Sequence, residues 1–265
     1  MKKALIFILL CGFGTTVFAQ NGQDIPISAV NSGKIWGAVY QQRAAEYKAL
    51  CFQAYNIAKF RLDMALKKHH RKPLAVVTDI DETLLDNSPN TAGRAIQNKD
   101  FDQQAWHAWT ARAICDTVPG APAFFKYAAS KGVAVYYITN RLEDEREGTI
   151  KNLKLHHLPF ADNKHLILKS TSSSKEARRR DVLKTHEVVL YCGDNLPDFN
   201  ALYDSPYTEQ SRNAATEKLK KEFGHKYIVI PNIGYGDWEN ALLKGALTNA
   251  QKDSLIKTVV KTDLK

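Results

Sequence analysis

Two aspartates spaced i, i+2 follow directly on a run suited to a buried strand: Leu74–Thr78 leads into Asp79 and Asp81 in "LAVVTDIDETLLDN". Strands covered on both faces read as continuous apolar runs, and open parallel sheets carry their chemistry beyond the carboxyl ends of the strands. Carboxylates this close repel one another unless a cation, a proton or hydrogen bonds intervene. A divalent metal can neutralise one of them, and a raised pKa can keep the other protonated. One short motif then supplies a nucleophile and a general acid, and a carboxylate nucleophile that forms an aspartyl-phosphate is known chemistry. The plainer alternative is a chance Asp-x-Asp in a surface turn.

Three further clusters bear on that choice. The run Val133–Thr139 ends in "TNR", which places Thr139 and Asn140 at a strand's carboxyl end as donors toward an anion. Val188–Cys192 ends in "GDNLPDF", which places Asp194 and Asp198 at another, with Gly193 permitting close backbone approach. Lys175, in "SSSKEARRR", opens a helix whose amino end favours anions. Each has a modest explanation by itself: a helix cap, a turn, a solvated lysine. Together they form a full set for phosphoryl transfer, with nucleophile, acid, hydroxyl and amide donors, a cation for the phosphate and carboxylates for Mg²⁺.

The elements that must hold these groups follow from the periodicity. From Ile35 to about Lys68 apolar residues recur at helical spacing, as one long helix or two consecutive ones. Beyond it, β-rich runs at Leu74–Thr78, Val133–Thr139, His165–Leu168, Val188–Cys192 and Tyr227–Ile230 alternate with helical patterns. Those patterns cover Ala121–Ser130, Glu143–Leu155, Lys175–Lys184 and Thr216–Phe223. Such alternation predicts an α/β fold, a three-layer parallel sheet with helices on both faces. The longer insert at about 86–118, containing "FDQQAWHAWTA", reads as a small helical cap, and the tail after Asp237 reads as helical. The expected organisation is a leader at 1–19, an N-terminal helical segment at 20–72, and one α/β domain at 73–265.

The leader is read from Lys2 and Lys3, the apolar run Ala4–Phe13, and Val17-Phe18-Ala19 before Gln20. The expectation is an exported chain, periplasmic or secreted, with no transmembrane span. Lipid attachment at Cys11, which would tie the protein to an outer membrane, is disfavoured by bulky Leu10 and the short apolar run before it. Removing the leader leaves 35 basic and 28 acidic residues, a mild excess that suits solubility or attraction of anionic substrates. No compact Lys/Arg block with interleaved aromatics points to a nucleic-acid polymer as partner. "KKHHRK", Lys67 to Lys72, reads as a helix end. Cys51, Cys115 and Cys192 form no disulfide framework and no C-x-x-C metal pattern, although a Cys51–Cys115 pair stays open. The adjacent pairs His69-His70 and His156-His157 lack ligand spacing and receive no chemistry.

The motif set resembles the haloacid dehalogenase superfamily, with "DIDETLLDN", "TNR", "SSKEARR" and "VLYCGDNLPDF" similar to its motifs I to IV. More narrowly it resembles the class C acid phosphatases, the bacterial lipoprotein-e type of 5′-nucleotidase. That likeness runs over about residues 46–239 and includes "VPGA" and "IPNIGYGDWE". Class B acid phosphatases, which carry a different residue where Glu82 stands, are the weaker match. The resemblance implies a Mg²⁺-dependent acid phosphatase for phosphomonoesters, with nucleoside or nicotinamide 5′-mononucleotides favoured. It implies that Asp79 is nucleophile and metal ligand, that Asp81 is general acid/base with its backbone carbonyl on the metal, and that Asp194 is the third protein ligand. Asp198 would orient Asp194 and the metal's waters, and Thr139, Asn140 and Lys175 would bind the transferring phosphoryl group. Trp106 and Tyr235 would sandwich the base or nicotinamide ring, where ordinary core packing is the alternative.

Two departures from the family pattern stand out. Asn90 follows "DNSP" where the family has an aromatic, which opens substrate choice near the cap to sugar phosphates or to phosphate transfer onto alcohols. The family is often lipid-anchored, and Cys11 is a poor anchor. A non-catalytic nucleotide-binding surface protein is the rival from another class, and an intact set of Asp79, Asp81, Lys175 and Asp194 argues against it. The oligomeric state stays open, with a homodimer among the options.

Overall fold

A computed structural model describes residues 26–205, 208–245 and 247–263. The expected leader, including Cys11, lies outside them. The first described elements are the helices α1 (Ala29–Arg43) and α2 (Ala45–Leu66), so the periodic stretch is two helices rather than one. The break is Ala44, which turns extended (φ −80°, ψ 128°) while its N–H still reaches Tyr40 O at 3.0 Å. Gly33 lies within α1 on its exposed side, with nothing within 4 Å of where a Cβ would stand. Gly33→Ala should therefore raise stability by about 0.5–1 kcal/mol, since alanine gives up less backbone entropy in a helix. A higher urea midpoint at unchanged slope would show it.

The sheet comprises β1 (Leu74–Thr78), β4 (Ala134–Ile138), β5 (Leu166–Ile167), β6 (Glu187–Gly193) and β7 (Tyr227–Val229). Its order is β5-β4-β1-β6-β7 and every pairing is parallel. Alternate side chains enter two separate cores. Val76, Val135 and Tyr137 pack with α2 and with α5 (Ala121–Ser130), through Cys51, Tyr55, Leu62, Phe124 and Phe125. Ala75, Val77, Tyr136 and Ile138 face the opposite way, toward Val182 of α7 (Glu176–Thr185) and Phe199. Helices thus cover both faces of a parallel sheet, as the sequence alternation predicts. A register shift between Ala75 and Val76 skips Val189 of β6, so that Leu190 joins the first core and Val188 the second.

A two-stranded ribbon of β2 (Leu85–Asp86) and β3 (Asp116–Thr117) frames the insert that holds α3 (Ser88–Ile96) and α4 (Gln103–Ala111). Helix α1 packs along α3, and Gln41 and Gln42 donate to Asp86 Oδ1 (2.7 Å) and Ser88 Oγ (2.9 Å). The rest of the chain adds α6 (Arg146–Leu155), entered through a 3₁₀ turn at Glu143–Glu145, then α8 (Glu209–Leu219), α9 (Asp237–Leu242) and α10 (Asn249–Val259). Helix α8 starts earlier than the pattern at Thr216–Phe223 predicts. The cause is a capping box, in which Thr208 Oγ1 accepts from Ser211 N at 3.0 Å. Cys51, Cys115 and Cys192 are all free and buried, which closes the Cys51–Cys115 option. No helix among the described residues is long and apolar enough to cross a membrane.

Candidate active site

The strands β1, β4 and β6 point their carboxyl ends to one edge of the sheet. β1 lies at the switch point, because the chain proceeds outward to β4 and β5 on one side and to β6 and β7 on the other. Asp79 is the first residue past β1. Its N–H still donates to Cys192 O at 3.0 Å, which carries the ladder with β6 one step further and fixes where the carboxylate emerges. It emerges into a cleft of about 490 Å³ roofed by α3 and α4.

Four predicted residues meet at its floor. Carboxylate oxygens of Asp79, Asp194 and Asp198 lie within 4.8 Å of one another. The Lys175 ammonium, buried at the start of α7, bonds Asp79 Oδ1 and sits 2.6 Å from Asp198 Oδ1. Asp198 is held from its other oxygen by Asn195 N (3.0 Å), while Arg179 Nη1 grips the carbonyls of Pro197 (2.5 Å) and Asp198 (2.9 Å). Asp194 accepts from Thr83 Oγ1 (3.1 Å) and Asn232 Nδ2 (2.8 Å), and it forms no ion pair with a side chain among the described residues.

This crowding shows in the proton affinities. Burial pushes the Asp79 carboxyl up to about 7, Lys175 pulls against it, and the Asp198 and Asp81 charges add to the rise. Burial and the Asp198 and Asp79 carboxylates hold Asp194 well above the usual carboxylate range. Lys175 is raised: burial works against its charge, and the Asp198 and Asp79 carboxylates outweigh that. Three carboxylates share one buried cation, so the floor is short of positive charge. An all-oxygen donor set of this kind fits a hard divalent cation, held by Asp79 and Asp194 with Asp198 beside them.

Asp81 behaves differently from Asp79. Its carboxylate lines the cleft but is turned to Arg141, whose Nη2 is 2.7 Å and Nε 3.1 Å from Oδ1, and to Asn87 Nδ2 at 2.9 Å. Between that position and the loop, Glu82 adopts a left-handed backbone (φ 57°) and is almost fully buried. Its carboxylate accepts from Asn87 N (2.8 Å) and from the hydroxyl of Tyr235, and burial pushes it well above its ordinary pKa. Tyr235 and Trp106 both line the cleft, and Trp106 also meets Phe101 at 6.2 Å between ring centroids. Tyr235→Phe keeps the ring but strips Glu82 of a buried donor. It should cost about 1–3 kcal/mol, measured as a fall in melting temperature.

The remaining predicted residues are less directly placed. Asn140 lines the cleft, with its Oδ1 taken by Arg178 Nη2 at 2.7 Å. Thr139 is fully buried, and its Oγ1 accepts from Arg141 N at 3.1 Å, which leaves its hydroxyl hydrogen free to donate. Sequence reasoning passed over Arg141, Asn87, Arg178 and Asn232. Arg141 was in plain view as the last letter of "TNR". Asn87 and Asn232 carry no spacing that marks them, because their partners are 6 and 38 residues away.

Comparison with known proteins agrees with this geometry. Residues 19–238 match the family described as HAD superfamily, subfamily IIIB (acid phosphatase). Among solved structures, the class C acid phosphatase from Bacillus anthracis with tungstate bound is 38% identical, at a TM-score of 0.82. The match covers 88% of this chain and 98% of that one. A second structure of the class C acid phosphatase from Bacillus anthracis matches to the same extent. With most of its length matched and an Asp-lined cleft at the carboxyl edge of a parallel sheet, the chain belongs to the subfamily IIIB acid phosphatases of the HAD superfamily.

Proposed function

We propose that this acid phosphatase is an exported, Mg²⁺-dependent hydrolase of phosphomonoesters, favouring nucleoside or nicotinamide 5′-mononucleotides, and that it works through an aspartyl-phosphate. The observation that carries the reading is Asp79: a nearly buried carboxylate at the end of the central strand, anchored to Lys175 and within reach of Asp194. Lys175 holds Asp79 by Oδ1 and so fixes the orientation from which the carboxylate attacks phosphorus in line. Asp81, two residues further along the chain and lining the same cleft, donates a proton to the leaving oxygen and later takes one from the water that opens the phospho-aspartate. Asn140, Thr139 and Lys175 supply donors and charge for the phosphoryl oxygens. Asp79 and Asp194 would hold the divalent ion, which when bound supplies Lewis-acid stabilisation of charge on the phosphoryl group.

Trp106 and Tyr235, which line the same cleft, support a flat aromatic base on the substrate. Residues 1–19 are read as the leader, so the exported protein should begin at Gln20, as intact-mass measurement would register. Phosphate release from nucleoside 5′-monophosphates, with Mg²⁺ and with chelator across pH 4 to 8, tests the chemistry. Mg²⁺-dependent release is the expected result. Equal release in chelator would refute the metal dependence, and no release from nucleotides alongside turnover of sugar phosphates would refute the substrate reading.

A further inference from the structure

Arg141 is a large, charged side chain with about 2% of its surface exposed. Burying a guanidinium is costly unless every prong is used. Here Nε lies 3.1 and 3.2 Å from Asp81 Oδ1 and Oδ2, Nη2 lies 2.7 Å from Oδ1, and Nη1 donates to Thr149 Oγ1 at 3.0 Å. Thr149 is fixed in turn by donating to Glu145 O at 2.7 Å. The Arg141 main-chain N–H is tied to Thr139 Oγ1. The fork is therefore set from behind and cannot follow Asp81 if Asp81 rotates.

The two oxygens of Asp81 are not equivalent in this grip. Oδ1 receives three donors, Arg141 Nη2, Asn87 Nδ2 and an Arg141 Nε shared with Oδ2, so its two lone pairs are fully taken. Asn87 is itself locked, since its Oδ1 accepts from Trp109 Nε1 at 2.8 Å. Oδ2 has a single, longer contact with Nε. It is the oxygen with lone pairs to spare, and Asp81 lines the cleft.

We propose that Arg141 is a positioning residue for proton transfer: it saturates Oδ1 of Asp81 and so presents Oδ2 as the oxygen that exchanges a proton with the leaving group. Arg141 touches no reacting atom in this scheme. The bond that breaks is P–O to the leaving group, the proton on Oδ2 moves to that oxygen, and Asp79 forms the new bond to phosphorus. The inference rests on Asp81 being the general acid.

Leaving-group dependence tests it. A nucleoside 5′-monophosphate expels an alkoxide that needs the proton, whereas p-nitrophenyl phosphate expels a phenolate that scarcely does. Leaving-group release in the first turnover at saturating substrate isolates this step from later hydrolysis. Asp81→Asn should lower nucleotide release relative to aryl release by about 100-fold or more. Arg141→Gln should shift the same ratio by about tenfold or more, and Arg141→Lys should do likewise, because an ammonium keeps the charge and loses the fork. In an Asp81→Asn background, Arg141→Gln should change the ratio no further. If Asp81→Asn is biased against nucleotide while both Arg141 variants slow the two substrates in equal proportion, Arg141 is merely structural and the proposal is overturned. If Asp81→Asn shows no bias, the acid assignment itself fails and the proposal falls with it.

Discussion

Asp79→Asn should stop turnover and at the same time make the metal-free protein more stable at neutral pH. The loss of activity is expected on the order of 10⁴-fold or more, as for removal of a nucleophile that acts as part of a unit. The gain in stability follows from linkage. Asp79 titrates at about 7 in the fold against an ordinary value of 3.8, so the folded state keeps a proton that the unfolded chain releases. Its folded pKa is raised, so stability is highest below the unfolded value and declines as pH rises from about 4 to about 7. Asparagine carries no such cost, and its Oδ1 can still accept from Lys175, which retains Asp198. We expect a net gain of about 1–3 kcal/mol at pH 7.5 that vanishes by pH 4. Melting in chelator at the two pH values checks it. Excess Mg²⁺ should narrow or reverse the difference, since the wild-type cluster binds the ion better and gains more from mass action. A variant that is less stable in chelator at pH 7.5 would show that the Lys175 contact outweighs the crowding.

Gly193→Ala should also damage activity, by a smaller factor, although the new methyl is inert. A Cβ there would stand 2.5 Å from both Cβ and Oδ2 of Asp198. Real contacts of that length do not occur, so one side must move. Asp198 cannot move freely: its carboxylate is held by Lys175 and Asn195 N, its carbonyl by Arg179, and Pro197 stiffens the chain before it. Gly193 is equally fixed, as its carbonyl accepts from Ile230 N at 2.9 Å and it pairs with Val229. Overpacking of this kind costs about 1–3 kcal/mol, and more where neighbours are locked. Displacement of Asp198 also loosens Lys175 and through it Asp79, so turnover should fall about 100-fold, as misplacement by an ångström does. Gly33→Ala is the natural control, with the same substitution and open space around it.

The layered sheet and its helices were legible because local pattern and tertiary structure agree: β1 emerges at Leu74–Thr78 and α5 at Ala121–Ser130 as the periodicity places them. Helix α8 was misplaced because its start depends on side-chain capping by Thr208, and apolar spacing does not register a cap. The ribbon β2–β3 is two residues long on each side, too short for any period. Within the site, Asp79, Lys175, Asp194 and Asp198 could be found because each lies just beyond a strand or at a helix start. Arg141 and Asn87 could not be assigned, since their meaning lies in which oxygen of Asp81 they face. The buried pairing of Glu82 with Tyr235 joins positions 153 residues apart, and no motif spans that distance.

The central strand has a consequence for how the molecule is made. β1 is synthesised early, yet both its neighbours arrive later, and Lys175 meets Asp79 across 96 residues of chain. Parallel pairing over such separations is slow, because loop entropy is spent before contacts repay it. Until β6 arrives, an apolar strand stands with an open edge, the usual template for misassociation between chains. Its charged end meets Arg141 when β4 docks, but Asp79 lacks Lys175 until the segment leading into β6 is in place. The rate-limiting event of folding should therefore be the docking of β6, and catalytic competence should appear with that event rather than after it. A burst of helical signal that precedes both sheet formation and activity would be its kinetic signature.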